Sequence, residues 1–204
     1  MKKRSLFCGI FAVLFAMTSC SSDDDDNKGD YTFTSTNQVS VQDIQAYETL
    51  DVTTQRPTFV GFTKVKLTAT EAIPTEGDDW DIAFNTWDIY LNAGANVTIG
   101  EKTLTKTSNN VAYYIADGTL ENITVADFSK FEDKQKIEYT EWGTYVPTTR
   151  ILSPIAGKII VLRTNDGKYA KIQIDSYYQG KADQTDPATA AYKLGFFSFT
   201  YIYN

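Results

Sequence analysis

Apolar and polar residues alternate most regularly between Tyr169 and Asp175. Ala170, Ile172 and Ile174 fall on one parity and Tyr169, Lys171, Gln173 and Asp175 on the other. A period of two marks a half-buried strand, so the first set is expected inward and the second outward. Just upstream, Ile159-Ile160-Val161-Leu162 is an unbroken apolar run, the pattern of a strand buried on both faces. Thr164-Asn165-Asp166-Gly167 lies between them, and Asp-Gly supplies the positive φ of a tight turn. Residues Gly157 to Tyr178 therefore predict a central hairpin.

Similar patterns recur along the chain. Thr58 to Leu67 is rich in β-branched and aromatic residues and has no helical stripe. Between Trp80 and Leu91, Trp80, Ile82 and Phe84 share one parity and Trp87, Ile89 and Leu91 the other. The change at Asn85-Thr86 predicts a bulge or bend. Val111 to Ile115, Ile137 to Val146 and Phe196 to Tyr203 predict further strands, with Phe197, Phe199, Tyr201 and Tyr203 on one face. Thr124 to Phe128 predicts one short helix capped by Thr124, and Lys181 to Ala191, which contains Pro187, a loop. The sum is an all-β domain with at most one short helix.

The N-terminal pattern is of another kind. Lys2, Lys3 and Arg4 precede an apolar run from Leu6 to Met17, and Thr18-Ser19-Cys20 follows. That is the layout of a secretory signal, with an h-region too short for the ~20 residues of a membrane-spanning helix. Cys20 at the cut resembles a bacterial lipobox, so residues 1–19 are expected to be removed and Cys20 lipidated. Ser21 to Asp30 is polar and acidic and is expected to be a tether; Asp23 to Asp26 resembles a surface-export signal. Residues 31–204 form the expected domain, lipid-anchored in the outer membrane at the cell surface.

Composition then narrows the function. Loss of Lys2, Lys3 and Arg4 leaves 16 basic residues against 26 acidic ones, a net charge of −10. That balance excludes general nucleic-acid binding, which needs cations against phosphates. There is no histidine, and the two methionines, Met1 and Met17, lie in the expected signal. Ser-His-Asp and Cys-His catalysis are excluded, as are nearly all zinc sites. Among common protein ligands of haem iron only tyrosine remains. No enzyme signature stands. Asp78, Asp79, Asp81 and Asp88 surround Trp80 and Trp87, a combination found in carbohydrate chemistry. Asp79 and Asp81, however, share one strand parity and are expected on its solvent side. Asn96-Val97-Thr98 and Asn122-Ile123-Thr124 match the N-glycosylation pattern, which a bacterial lipoprotein rarely uses.

Three blocks resemble the HmuY family of surface haem-binding lipoproteins. They are Asp79 to Phe84 followed by Asp88 to Gly94, Ile160 to Tyr177, and the closing Phe197 to Tyr203. The resemblance implies an antiparallel, many-stranded HmuY-like fold. It also implies a hemophore role, with haem taken from host haemoproteins and passed to a TonB-type outer-membrane receptor. Family members that bind haem hold the iron between two His or two Met. One of these stands just before a dipeptide resembling Glu138-Tyr139, where this chain reads Lys134-Gln135-Lys136-Ile137. The loop carrying the second corresponds to the short stretch Gly143 to Lys158.

The expectation is a non-enzymatic lipoprotein that binds haem or an iron-free porphyrin without His or Met ligands. Tyr139, Trp142 and Tyr145 are the candidate ligand-binding residues, and a Tyr139 or Tyr145 phenolate is the remaining choice for iron. The alternative is a surface accessory, adhesion or glycan-binding lipoprotein that keeps the fold and has lost haem binding, with Trp80, Trp87 or Trp142 as glycan platforms.

Overall fold

The structure is a computed structural model. It describes residues 30–46, 49–51, 56–58, 61–186 and 193–204. The expected signal, Cys20, the acidic tether before Asp30, Phe59-Val60 and Pro187 lie outside them.

The strands in chain order are β1 (Tyr31–Thr32), β2 (Gln38–Gln45), β3 (Thr49–Asp51), β4 (Arg56–Thr58), β5 (Thr63–Leu67) and β6 (Ala72–Pro74). Then come β7 (Ile82–Asn85), β8 (Asp88–Leu91), β9 (Val97–Ile99), β10 (Lys102–Leu104), β11 (Ala112–Asp117) and β12 (Val125–Ala126). The rest are β13 (Lys136–Ile137), β14 (Gly143–Val146), β15 (Ile151–Pro154), β16 (Lys158–Arg163), β17 (Tyr169–Tyr178) and β18 (Leu194–Tyr203). One α-helix, α1 (Tyr139–Trp142), and two 3-10 turns, Phe128–Lys130 and Gln179–Lys181, complete the described elements. The fold is all-β.

Two five-stranded sheets dominate, in the orders β11-β16-β17-β18-β2 and β13-β8-β7-β5-β6, with every pairing antiparallel. The main core lies between them. Phe84 of the second sheet meets Phe197 and Phe199 of the first at ring distances of 4.5 and 5.7 Å. Each sheet is also covered on its other face. Phe33, Leu120 and Ala126 close over Tyr114, Ile159, Val161 and Ile202 of the first sheet. Trp80 and Leu104 do the same for Ala83 and Tyr90 of the second.

Double coverage explains the hairpin of β16 and β17. Ile160 and Leu162 enter the main core while Ile159 and Val161 enter the outer one, so the unbroken apolar run serves two faces. It also overturns the outward placement of Lys171. That side chain is 3% exposed, beside Val161 and Ile202 on the outer-core face. Its Nζ donates to the Ile123 carbonyl at 2.7 Å and stands 4.8 Å from the Phe33 ring centre. Burial pushes its ammonium below the ordinary lysine range.

Three other expectations change. The bend at Asn85-Thr86 is a full reversal: Asn85 pairs with Asp88, and Thr86 has a φ of 51°. Thr124 to Phe128 is not a helix. Val125–Ala126 pairs with β1, and the 3-10 turn begins one cap later, where Asp127 accepts from the Ser129 N–H at 3.0 Å. Ile137 to Val146 is not one strand, because α1 interrupts it.

Near Tyr31, the Asn204 side chain accepts from the Ser35 N–H at 2.9 Å. It donates to Thr34 Oγ1 at 2.9 Å and to the Tyr31 hydroxyl at 3.3 Å. The Asn204 N–H also donates to the Tyr169 carbonyl at 2.9 Å.

Candidate ligand-binding site

The β7–β8 turn puts Trp87 where its ring meets two tyrosines. Tyr139 lies 5.0 Å and Tyr145 5.7 Å from it, centre to centre, and all three are half-buried. The local chain explains how the tyrosines arrive there. The Glu138 N–H donates to Glu141 Oε2 at 2.8 Å, which starts the single turn α1 that carries Tyr139. Tyr113 on β11 pins that turn, donating its hydroxyl to the Glu141 carboxylate at 2.9 Å. Burial first, and then the hydrogen bond to Glu141 and its charge, push the Tyr113 phenol far above its ordinary range. Gly143 then lets the chain pass into β14. A Cβ there would stand 2.9 Å from Leu152 Cδ1 and 3.3 Å from the Ser153 carbonyl. Tyr145 follows two residues later, paired in register with Leu152.

The structure thus brings together two of the three residues expected from sequence. Trp142 is placed elsewhere: at 1% exposed it packs on Phe197 and Tyr177 inside the main core, and its Nε1 makes no hydrogen bond. Trp87 takes its place beside the tyrosines. The signal for it was the parity change at Asn85-Thr86, because a reversal there puts the next ring at a turn.

The stretch Lys134 to Ile137 is occupied by its own neighbours. Lys134 pairs with Glu132 at 2.7 Å, and Ile137 is fully buried. The Gln135 carboxamide, oriented to suit its surroundings, donates to the Ala95 carbonyl at 3.3 Å and accepts from the Ala95 N–H at 3.2 Å. It does so across Gly94, whose φ is 78° and where a Cβ would lie 2.8 Å from Gln135 Cγ. Lys136 binds Asp88 at 3.0 Å. Burial opposes its charge, but the Asp88 carboxylate outweighs it and the ammonium lies above its ordinary range.

The acidic cluster is not a solvent-facing pair. Asp79 is exposed, but Asp81 is fully buried, accepting from the Leu67 N–H at 2.8 Å and from the Asn165 N–H at 2.7 Å. Burial pushes its carboxyl upward, against those two donors and Lys66. Trp80 is fully buried as well.

Among the described residues no three His, Cys, Asp or Glu side chains converge on a metal site. Nor is any described residue a His, Met or Cys. Axial ligation of haem iron by imidazole or thioether therefore has no residue to supply it among those described.

The profile described as HmuY protein matches residues 31–192. The chain belongs to the HmuY family. No curated protein matches it. Several crystal structures align with this HmuY-family chain. One is a candidate lipoprotein from Bacteroides fragilis NCTC 9343, at 19% identity over 84% of this chain and 92% of the other, with a TM-score of 0.35. Another is a candidate HmuY-like haem-binding protein from Bacteroides vulgatus ATCC 8482, at 13% identity over 78% and 97%, with a TM-score of 0.36. The apo HmuY analogue of Tannerella forsythia aligns at 17% identity over 82% and 97%, with a TM-score of 0.36.

Proposed function

We propose that this HmuY-family protein is a non-enzymatic, lipid-anchored lipoprotein of the outer-membrane surface that binds haem or a related tetrapyrrole for uptake. The observation that carries the reading is the partly buried cluster of Trp87, Tyr139 and Tyr145, three aromatic rings in mutual contact that keep some surface on which a flat ligand could stack. Aromatic stacking adds about 0.5–1.5 kcal/mol per pair beyond simple burial. Cys20 is the proposed lipid attachment, and a TonB-type receptor and host haemoproteins are the proposed partners. The test is titration of the purified protein with haemin and with porphyrins. A Soret shift and tryptophan quenching at micromolar ligand are expected, and a flat response in both channels ends this reading. Labelling with palmitate, lost in Cys20→Ala, checks the anchor.

A second reading rests on a different observation. A cleft of about 460 Å³ between β5, β6 and the β9–β10 hairpin is lined by Thr63, Lys64, Thr75, Lys102, Thr103 and Leu104. Its hydroxyls and ammonium groups suit a glycan, as an accessory or adhesion lipoprotein would require. Binding on a glycan array that Thr63→Val and Thr103→Val abolish would favour it.

A further inference from the structure

We infer that this chain recognises the tetrapyrrole macrocycle and not its metal, so that an iron-free porphyrin binds at Trp87, Tyr139 and Tyr145 at least as well as haem. This rests on the tetrapyrrole reading above and adds the ligand's metal-independence to it.

The donor set comes first. The described residues hold no imidazole, thioether or thiol, and the side chains of Lys134 to Ile137 are committed to carboxylates, to Ala95 or to the core. Tyrosine is the remaining ligand type. Iron would take it as the phenolate, a charged form that needs a neighbouring cation or donor to hold it. Among the described residues, neither Tyr139 nor Tyr145 has its hydroxyl hydrogen-bonded to a lysine or arginine; their contacts are ring to ring with Trp87.

What the cluster offers is therefore aromatic face, which attracts the π-system of any porphyrin whatever its centre. Ferric haem in water carries axial water or hydroxide. Pressing an aromatic ring against that face strips the ligand and returns nothing, and an uncompensated loss of a polar partner is costly. The iron-free ring has no such ligand to lose. The site favours the bare macrocycle.

The experiment compares dissociation constants of haemin and protoporphyrin IX for the lipidated protein in detergent. Binding is followed by ligand absorbance, because Trp87 is itself a quenching reporter. The expected result is two constants within about threefold, with the porphyrin no weaker than haem. Trp87→Ala should weaken both in parallel and Trp87→Phe should retain both, with circular dichroism confirming the fold of each variant. Haem binding tenfold or more tighter than porphyrin would overturn the inference while leaving the tetrapyrrole reading intact. So would selective loss of haem binding in Tyr139→Phe or Tyr145→Phe, since that signals ligation. If neither ligand binds, the tetrapyrrole reading falls and takes this inference with it.

Discussion

The two ends of the β7–β8 hairpin are built on opposite principles. Asp81 stands just before β7, and both its oxygens are taken: one by Leu67 of its own sheet, the other by Asn165 in the turn between β16 and β17. Asn92, just after β8, continues that polar seam, accepting from the Thr107 N–H at 2.8 Å and donating to the Trp80 carbonyl at 2.9 Å. At the other end Trp87 packs on the Tyr139 and Tyr145 rings and the edge of the main core, and stays only partly buried. A buried polar seam whose carboxylate and carboxamide are hydrogen-bonded favours one arrangement of the sheets, because another would leave those donors and acceptors unpaired. A partly buried aromatic cluster carries no such directional constraint. One end holds the scaffold, and the other is where we propose that the ligand binds.

The contrast is tested most severely at Asp81. Asp81→Ala strands two buried N–H groups and leaves Lys66 with Asp79 alone, so we expect a loss of about 3 kcal/mol. Urea denaturation at an unchanged m-value measures it, and a loss under about 1 kcal/mol would remove the seam from the scaffold. Asp81→Asn, which keeps one acceptor, should lose less.

Next come the two faces of the central hairpin. Val161→Asp buries an unpaired carboxylate at a cost of several kcal/mol. Lys171→Asp would cost little if its strand face met water, but that face is closed by Phe33 and Ile123. We therefore expect comparable falls in melting temperature for the two variants. Lys171→Met, which removes a buried charge and keeps the packing, should melt within a few degrees of the parent.

At the aromatic end, Trp87→Ala should weaken porphyrin binding about tenfold, or about 1.4 kcal/mol. It should leave stability closer to the parent than Asp81→Ala does. Paired titration and denaturation of the same preparation decide it: an equal loss of stability in both variants would erase the distinction.

The smallest effect concerns Lys106, whose Nζ donates to the Gln135 carbonyl at 3.1 Å and whose ammonium burial pushes down to about 8. A lysine lowered in the folded state releases its proton there first, so stability rises as pH climbs from about 8 toward the unfolded lysine value of about 10.4. Lys106→Gln should flatten that rise in denaturation midpoints, and an unchanged slope would show that Lys106 does not produce it.

Much of this was legible locally. The hairpin of β16 and β17 was written in its apolar run, its Asp-Gly turn and its alternation, all within about twenty residues. The fate of Lys171 was not, because the layer that buries it comes from Phe33 and Ile123, far away in the chain. Alternation shows which side chains share a face, not whether that face meets water. Asp81 failed for the same reason, since one of its partners, Asn165, lies far along the chain in the turn between β16 and β17. The helix α1 was hidden by β-branched and aromatic neighbours in Ile137 to Val146. A four-residue turn held by one Glu138–Glu141 cap offers no periodicity to detect. That single turn places Tyr139 against Trp87 and Trp142 in the core.

The Asn204 side chain has a mechanical consequence. Tension arriving at Asp30 from the N-terminal side reaches β1 first, whose pairing with β12 spans two residues and would peel readily. Asn204 bonds to Tyr31, Thr34 and Ser35 together, and its own backbone is joined to Tyr169 on β17. A pull on the start of the domain is thereby shared among several contacts and passed to β17 and β18 inside the first sheet. The load is thereby carried into β17 and β18, inner strands of that five-stranded sheet.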